Sequence, residues 1–336
     1  MTGKPTPAPR LIRAAVVQDR PALFDREATI DRVRDLTREA AAGHGCAGGG
    51  LVLFPEAFVP AYPRGLDFGC VVGSRSEPGR ELFRAYSDNA VEIPSPATER
   101  LGAIAREHAL HLAIGVVERD PVGGTLYCTL LAFDPRGEIV CRHRKLKPTG
   151  SERRIWGEGD GSTLDTFETP AGDAGGLICW ENYMPLVRTA MYQKGVRLWL
   201  APTADHRPTW TATMRHIACE GRCYVLGCNQ YHTADDIPAS VRELMPGFDP
   251  DRAVSRGGSV IISPRGEILA GPLFDDTGIL SADIDPDELT RVRLDFDATG
   301  HYDRPDVARL VVNAGDGEPS AMRAPPSAQF PDDSGD

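Results

Sequence analysis

Gly175-Gly176-Leu177-Ile178-Cys179-Trp180-Glu181-Asn182-Tyr183-Met184-Pro185-Leu186 is the stretch on which the rest of the chain turns. Its opening, Gly175 to Cys179, is a short apolar run that reads as a buried strand. Pro185 suits the first turn of a helix, and Met184 to Lys194 carries helical spacing. A strand passing at once into a helix is the repeating unit of an α/β fold. Here a thiol stands at the junction, where the core fixes the backbone and the next side chain faces a cleft.

The same alternation extends in both directions. Downstream come a strand at Leu198 to Ala201, a helix at Thr209 to Gly221, and strands at Tyr224 to Cys228 and Gly258 to Ser263. Ser263-Pro264-Arg265-Gly266 marks a turn, strand material resumes to Leu269, and Gly278 to Ile284 with a helix from Pro286 to about Leu294 closes the domain. Upstream, Leu11 to Gln18 and Leu51 to Phe54 read as strands, with a helix between them from about Asp25 to Ala42. Pro94 to His108 reads as a helix with Ser95 as N-cap and Pro96 at the first helical position. His111 to Val117, Tyr127 to Phe133 and Glu138 to Cys141 are strands, the last two joined across Asp134-Pro135-Arg136-Gly137. Two halves of similar layout predict a four-layer α-β-β-α sandwich, two mixed sheets face to face with helices outside. No Gly/Pro-rich linker divides it, so one domain is expected over 10–310. Residues 1–9 are expected to be a flexible N-terminus and 311–336 a disordered tail, rich in Gly, Pro, Ser and Asp.

Composition narrows the partners. With 41% apolar and 25% charged residues the chain is an ordinary globular protein, and a formal charge of −11 argues against nucleic acid and against anionic membranes. The N-terminal stretch lacks the apolar core of a secretory signal, and no apolar run approaches a bilayer span. A cytoplasmic location is the expectation. The eight cysteines are scattered without a framework and read as reduced thiols. His216, Cys219, Cys223 and Cys228 form the tightest cluster but contain no CxxC pair, so buried thiols rather than a metal site are expected.

Three short apolar strands each lead into a reactive side chain: Leu51 to Pro55 into Glu56, Glu138 to Arg144 into Lys145, and Gly175 to Ile178 into Cys179. Taken singly, such a glutamate or lysine is an ordinary solvated charge and such a cysteine is core. Taken together, Glu, Lys and Cys in this order resemble the triad of the nitrilase superfamily. The local sequences carry the resemblance further: Phe54-Pro55-Glu56-Ala57-Phe58 with Tyr62-Pro63-Arg64-Gly65, and His143-Arg144-Lys145-Leu146-Lys147-Pro148-Thr149 with Glu152-Arg153. Trp156-Gly157-Glu158-Gly159-Asp160-Gly161-Ser162, Cys179-Trp180-Glu181, Ala201-Pro202-Thr203-Ala204-Asp205 and Gly300-His301-Tyr302-Asp303-Arg304-Pro305-Asp306 look like true nitrilases rather than the wider amidase group. The resemblance spans about residues 10 to 308.

A nitrile carbon is a poor electrophile, so the attacking sulfur must be a thiolate. Proximity to a helix N-terminus beginning near Asn182 to Met184 is expected to favour one. Glu56 is the expected general base, and Lys145 the fixed positive charge where negative charge develops, with the Trp180 backbone N–H as a second donor. The resemblance implies hydrolysis of an organic nitrile to acid and ammonia through a thioimidate and a thioester on Cys179. It also implies that Glu152 orients Lys145 or water. The bland alternative for Glu152 is an ion pair with Arg153 or Arg154. Tyr62 and Trp180 are expected to line the substrate pocket, Glu181 is open between a catalytic and a structural role, and His143, His206 and His216 are expected to be structural or surface residues. No cofactor and no metal are expected, and the resemblance implies a homodimer or a larger homo-oligomer. Two rival readings stay open: an amidase or carbamoyl hydrolase on the same scaffold, and an inactive assembly or binding protein.

Overall fold

The structure, a computed structural model, describes residues 11–245 and 248–313. The expected flexible terminus at 1–9 and the expected tail from 314 onward lie outside the described residues. Twelve strands form two mixed sheets: β1 Ile12–Gln18, β2 Leu51–Leu53, β3 His111–Arg119, β4 Leu126–Phe133, β5 Ile139–Arg144, β6 Ala174–Gly176, β7 Leu198–Thr203, β8 Tyr224–Asn229, β9 Tyr231–His232, β10 Ser255–Ile262, β11 Ile268–Phe274 and β12 Gly278–Ile284. The first sheet runs β12-β1-β2-β3-β4-β5, and the second β11-β10-β8-β7-β6 with β9 paired to β10. Five principal helices accompany them: α1 Arg26–Gly43, α2 Glu77–Asp88, α3 Pro96–His108, α4 Pro185–Gln193 and α5 Pro208–Gly221.

Alternate residues along each strand serve different layers, because successive side chains leave a strand on opposite faces. Ala14, Val16, Leu51 and Leu53 of the first sheet join Leu198, Leu200 and Leu226 of the second in the cluster between the sheets. Ala15, Val17, Val52 and Phe54 turn the other way, onto Ile30 and Val33 of α1 and Leu101 and Ile104 of α3. Trp199, Ala201 and Val225 likewise turn outward onto Met191 of α4 and Met214 and Ile217 of α5. Both faces of the central strands are covered, which is why they read as unbroken apolar runs rather than alternating ones. The order is helix, sheet, sheet, helix.

Local signals mostly do what they promise. Ser95 caps α3 with a capping box, Thr98 answering the cap's backbone N–H. The Asp134–Gly137 turn closes with Gly137 N–H on Asp134 C=O, and Gly137 sits at φ 84° with Gly102 O only 2.5 Å from where a Cβ would stand. Glycine is therefore required there twice over. Two departures matter. The sequence reading leaves out α2, although Ser76 accepts from Gly79 N–H and Pro78 lies in its first turn. The expected strand to Cys179 stops at Gly176, and Cys179 itself takes φ 51° at the head of a 3-10 turn, Cys179–Tyr183, that precedes α4. The helix begins at Pro185, later than expected.

Candidate active site

Glu56 lies three residues beyond β2, on a segment that crosses the sheet where β3 has no side chain. Gly115 N–H donates to Pro55 C=O, and a Cβ on Gly115 would meet Ala57 N and Pro55 O at 2.4 Å each. Lys145 follows β5 directly, its N–H held by Cys128 C=O of β4 at 2.8 Å. Cys179 comes from the edge strand of the opposite sheet. The three expected residues thus converge from both sheets, with Glu56, Lys145 and Cys179 all buried.

The Lys145 ammonium stands between two carboxylates, donating to Glu56 Oε1 at 2.6 Å and to Glu152 Oε2 at 2.8 Å. Glu152 also accepts from Thr149 N–H at 2.6 Å and from the Tyr62 hydroxyl at 2.7 Å. Arg153 and Arg154 turn away, to the Pro148 and Cys70 carbonyls, so the surface ion pair considered for Glu152 does not form. Among the described residues, Glu56 Oε2 is buried without a hydrogen-bond partner, while the Cys128 thiol faces Oε1 at 3.7 Å. Gln230 holds the Glu56 carbonyl, and the Thr203 hydroxyl donates to Cys179 Sγ at 3.2 Å.

Burial governs the charges. It pushes the Glu56 carboxyl above its usual range, with the Glu152 charge adding to the rise and Lys145 opposing it. Burial works to neutralise Lys145, but the Glu56 and Glu152 carboxylates oppose it and favour the charged ammonium. The Cys179 thiol is raised by burial first and by Glu56 and Glu152 next, against Lys145. These influences favour the protonated thiol, against the thiolate-favouring effect expected of the helix that begins six residues later, so a base is needed to free the sulfur for attack. A buried carboxyl with a free oxygen beside a buried thiol can take the proton when sulfur attacks, and a fixed ammonium can receive the charge that follows.

The two expected pocket residues have different surroundings. Tyr62 is half-buried, edge-on to Trp156 at 5.7 Å, and borders a cavity of about 20 Å³ with Arg64, His232 and Ile237. Trp180 is 40% exposed, its indole N–H donating to Asp205 Oδ2 at 2.9 Å and its ring capped by Arg207. His143 is buried against Glu181, whereas His216 lies at the surface beside Glu220. Cys223 faces α5, while Cys228 faces the space between the sheets and donates to Val17 and Leu53 carbonyls, so the cysteine cluster does not converge. Among the described residues no group of three or more His, Cys, Asp or Glu could hold a metal, and no helix is long and apolar enough to cross a membrane. Sequence reasoning missed Thr203 and Gln230. Thr203 ends β7, so the strand-end signal that found the triad was present there too.

The carbon–nitrogen hydrolase family pattern matches residues 13–294. An aliphatic nitrilase of Sinorhizobium fredii is 52% identical over 90% of this chain and 95% of its own length. A bifunctional nitrilase/nitrile hydratase of Lupinus angustifolius is 49% identical over 90% of this chain and 86% of its own. Among solved structures, Saccharomyces cerevisiae Nit3, a member of branch 10 of the nitrilase superfamily, superposes with a TM-score of 0.68 at 23% identity, covering 88% of this chain and 97% of that one. This last likeness supports the sandwich fold. The chain belongs to the carbon–nitrogen hydrolase family, in its nitrilase branch.

Proposed function

We propose that the chain hydrolyses an organic nitrile to its carboxylic acid and ammonia, with Cys179 as nucleophile. The observation that carries the reading is the buried lysine shared by two carboxylates beside a buried thiol. Glu56 takes the Cys179 proton as sulfur bonds to the nitrile carbon, and passes that proton to the nitrogen to give a thioimidate, which leaves Glu56 free to act again as base. Water adds to that carbon with Glu56 as base, the C–N bond breaks, and ammonia leaves behind a thioester. A second water releases the acid and restores the thiol. Lys145 stays charged throughout and faces the developing negative charge. Glu152 fixes the lysine and is in turn fixed by Tyr62 and Thr149.

If the C–S bond of the tetrahedral intermediate breaks before the C–N bond, the product is the amide. The Lupinus relative is named for both activities, and the same cluster accommodates both outcomes here. Assembly into a homodimer or larger is part of the proposal, and exposed Tyr183 and Leu186 just after the nucleophile supply apolar surface for it. Eight unpaired cysteines suit a reducing, cytoplasmic setting.

The test is Cys179→Ala against wild type, with a nitrile panel and the matched amides scored separately for ammonia, acid and amide. Wild type should release ammonia from nitriles and show a substrate-derived mass adduct; the variant should fold and show neither. Nitrile hydrolysis retained by Cys179→Ala, or wild-type turnover of amides alone, would overturn the reading.

A further inference from the structure

Glu181 lies two residues past the nucleophile, 1% exposed, and takes no part in the reaction described above. Three donors converge on its carboxylate. Ile178 N–H reaches Oε2 at 2.7 Å, Leu146 N–H reaches Oε1 at 2.6 Å, and His143 Nε2 faces both oxygens at 3.1 and 3.2 Å. Burial alone would raise this carboxyl, yet the His143 ring and the two backbone N–H groups outweigh it and hold Glu181 below its usual range. An ionised carboxylate only accepts, so His143 Nε2 carries the proton, and His143 Nδ1 is left to Thr163 Oγ1 at 3.1 Å.

Those backbone partners decide what the carboxylate does. Ile178 immediately precedes Cys179, and Leu146 immediately follows Lys145. One side chain therefore joins the main chain beside the sulfur to the main chain beside the ammonium, although the two come from opposite sheets. The turn it holds is strained: Cys179 sits at φ 51°, in the left-handed region that non-glycine residues rarely adopt. Asn182 secures the turn's other face, donating to Leu177 and Cys179 carbonyls at 2.7 and 2.8 Å, but it does not reach the lysine strand. We infer that Glu181, held in place by His143, is a positioning residue that sets where the Cys179 sulfur stands relative to the Lys145 ammonium. The inference rests on the roles proposed above for Cys179 and Lys145.

Glutamine at 181 cannot substitute. It has one acceptor oxygen, and whichever way the amide turns, its NH2 meets a backbone N–H at 178 or 146. One of the two tethers must break. Leucine at 143 removes only the outer partner and leaves both tethers without their lateral support, whereas glutamine at 143 keeps a donor near the ring nitrogen. The experiment compares Glu181→Gln, His143→Leu and His143→Gln in the full chain by three readouts. These are the rate of Cys179 alkylation by iodoacetamide, measured on the Cys179 peptide by mass spectrometry, kcat and KM per alkylatable site, and the amide-to-acid ratio.

Misplacing a reacting group by about 1 Å costs on the order of a hundredfold. Glu181→Gln is expected to lose about that in kcat with KM changed less than about threefold, to alkylate at least about tenfold more slowly, and to raise the amide share. His143→Leu should lose about tenfold in kcat, and His143→Gln should recover most of it. A merely structural role would lower the melting temperature and leave these per-site values alone. Wild-type alkylation and kcat in folded Glu181→Gln, or in His143→Leu should Glu181→Gln not fold, would overturn the inference. If the wild-type chain hydrolyses no nitrile, the functional reading fails by itself, while the alkylation rates still judge the positioning.

Discussion

Replacing Glu152 by glutamine removes a charge from the site while leaving its hydrogen bonds countable. Glu152 Oε2 accepts from Lys145 Nζ at 2.8 Å and Thr149 N–H at 2.6 Å, and Oε1 accepts from the Tyr62 hydroxyl at 2.7 Å. A glutamine can keep its oxygen toward Lys145 and Thr149 and turn its NH2 to the Tyr62 oxygen, which both donates and accepts. All three contacts survive in number. Losing one ion-pair partner is offset by no longer burying that carboxylate near Glu56, so stability should change by about 1 kcal/mol and the melting temperature by about 3 °C. Catalysis should fall by roughly two orders of magnitude, the scale of a positioned electrostatic group. The pH profile gives a sign as well. The Glu152 charge raises the Glu56 carboxyl, so removing it lowers the pH at which the base becomes protonated. Because the base works deprotonated, the acidic limb of kcat/KM should move to lower pH. Ammonia release across pH, with sites counted by Cys179 alkylation, measures both effects. Near-wild-type turnover, or an acidic limb displaced to higher pH, would refute the reasoning.

Gly115→Ala should cost about 1–3 kcal/mol in thermal or urea unfolding, because the new methyl meets main-chain atoms at 2.4 Å that cannot rotate away. It should also lower kcat at least about tenfold by shifting the Glu56 backbone, and wild-type kcat in the folded variant would remove Gly115 from the site's support. Light scattering over a wide concentration range should give a mass of at least two chains, and a constant monomeric mass would reject the assembly proposed around Tyr183 and Leu186.

The three triad candidates each follow a short apolar run that the core must hold rigid, but it is their order and the family likeness of their surroundings that single them out. Glu152 was legible only through family likeness, since nothing local to it announces Lys145 and Tyr62 as partners 7 and 90 positions away. The resting state of Cys179 was not legible at all. Sequence shows the helix that follows, but burial and the charges of Glu56, Lys145 and Glu152, brought in from distant loop segments and strand ends, act on the thiol more strongly. Trp180 is expected in the pocket through family likeness. The structure leaves it partly exposed with its indole on Asp205, a partner that the sequence does not announce. The helix over Glu77–Asp88 escaped because its cap, Ser76, follows a glycine- and serine-rich stretch that reads as loop.

A neutral thiol beside a buried lysine and two carboxylates has a consequence for how charge moves during the proposed reaction. The cluster pairs one ammonium with two carboxylates, and all three side chains are buried. When Glu56 takes the Cys179 proton, the negative charge passes from carboxylate to sulfur and then to the nitrile nitrogen, while the total in the cavity stays the same. Only relocation occurs, and each location faces the same ammonium. In a buried site that constancy matters, since creating a new buried charge costs several kcal/mol whereas moving one between similar surroundings costs far less. Glu152 is what makes the sequence of states workable. Once Glu56 is protonated, Lys145 would lose its nearest counter-charge at the moment it is needed as a cation, and burial would press it toward neutrality. A second carboxylate at 2.8 Å, itself fixed by Tyr62 and Thr149, keeps the lysine charged through every step.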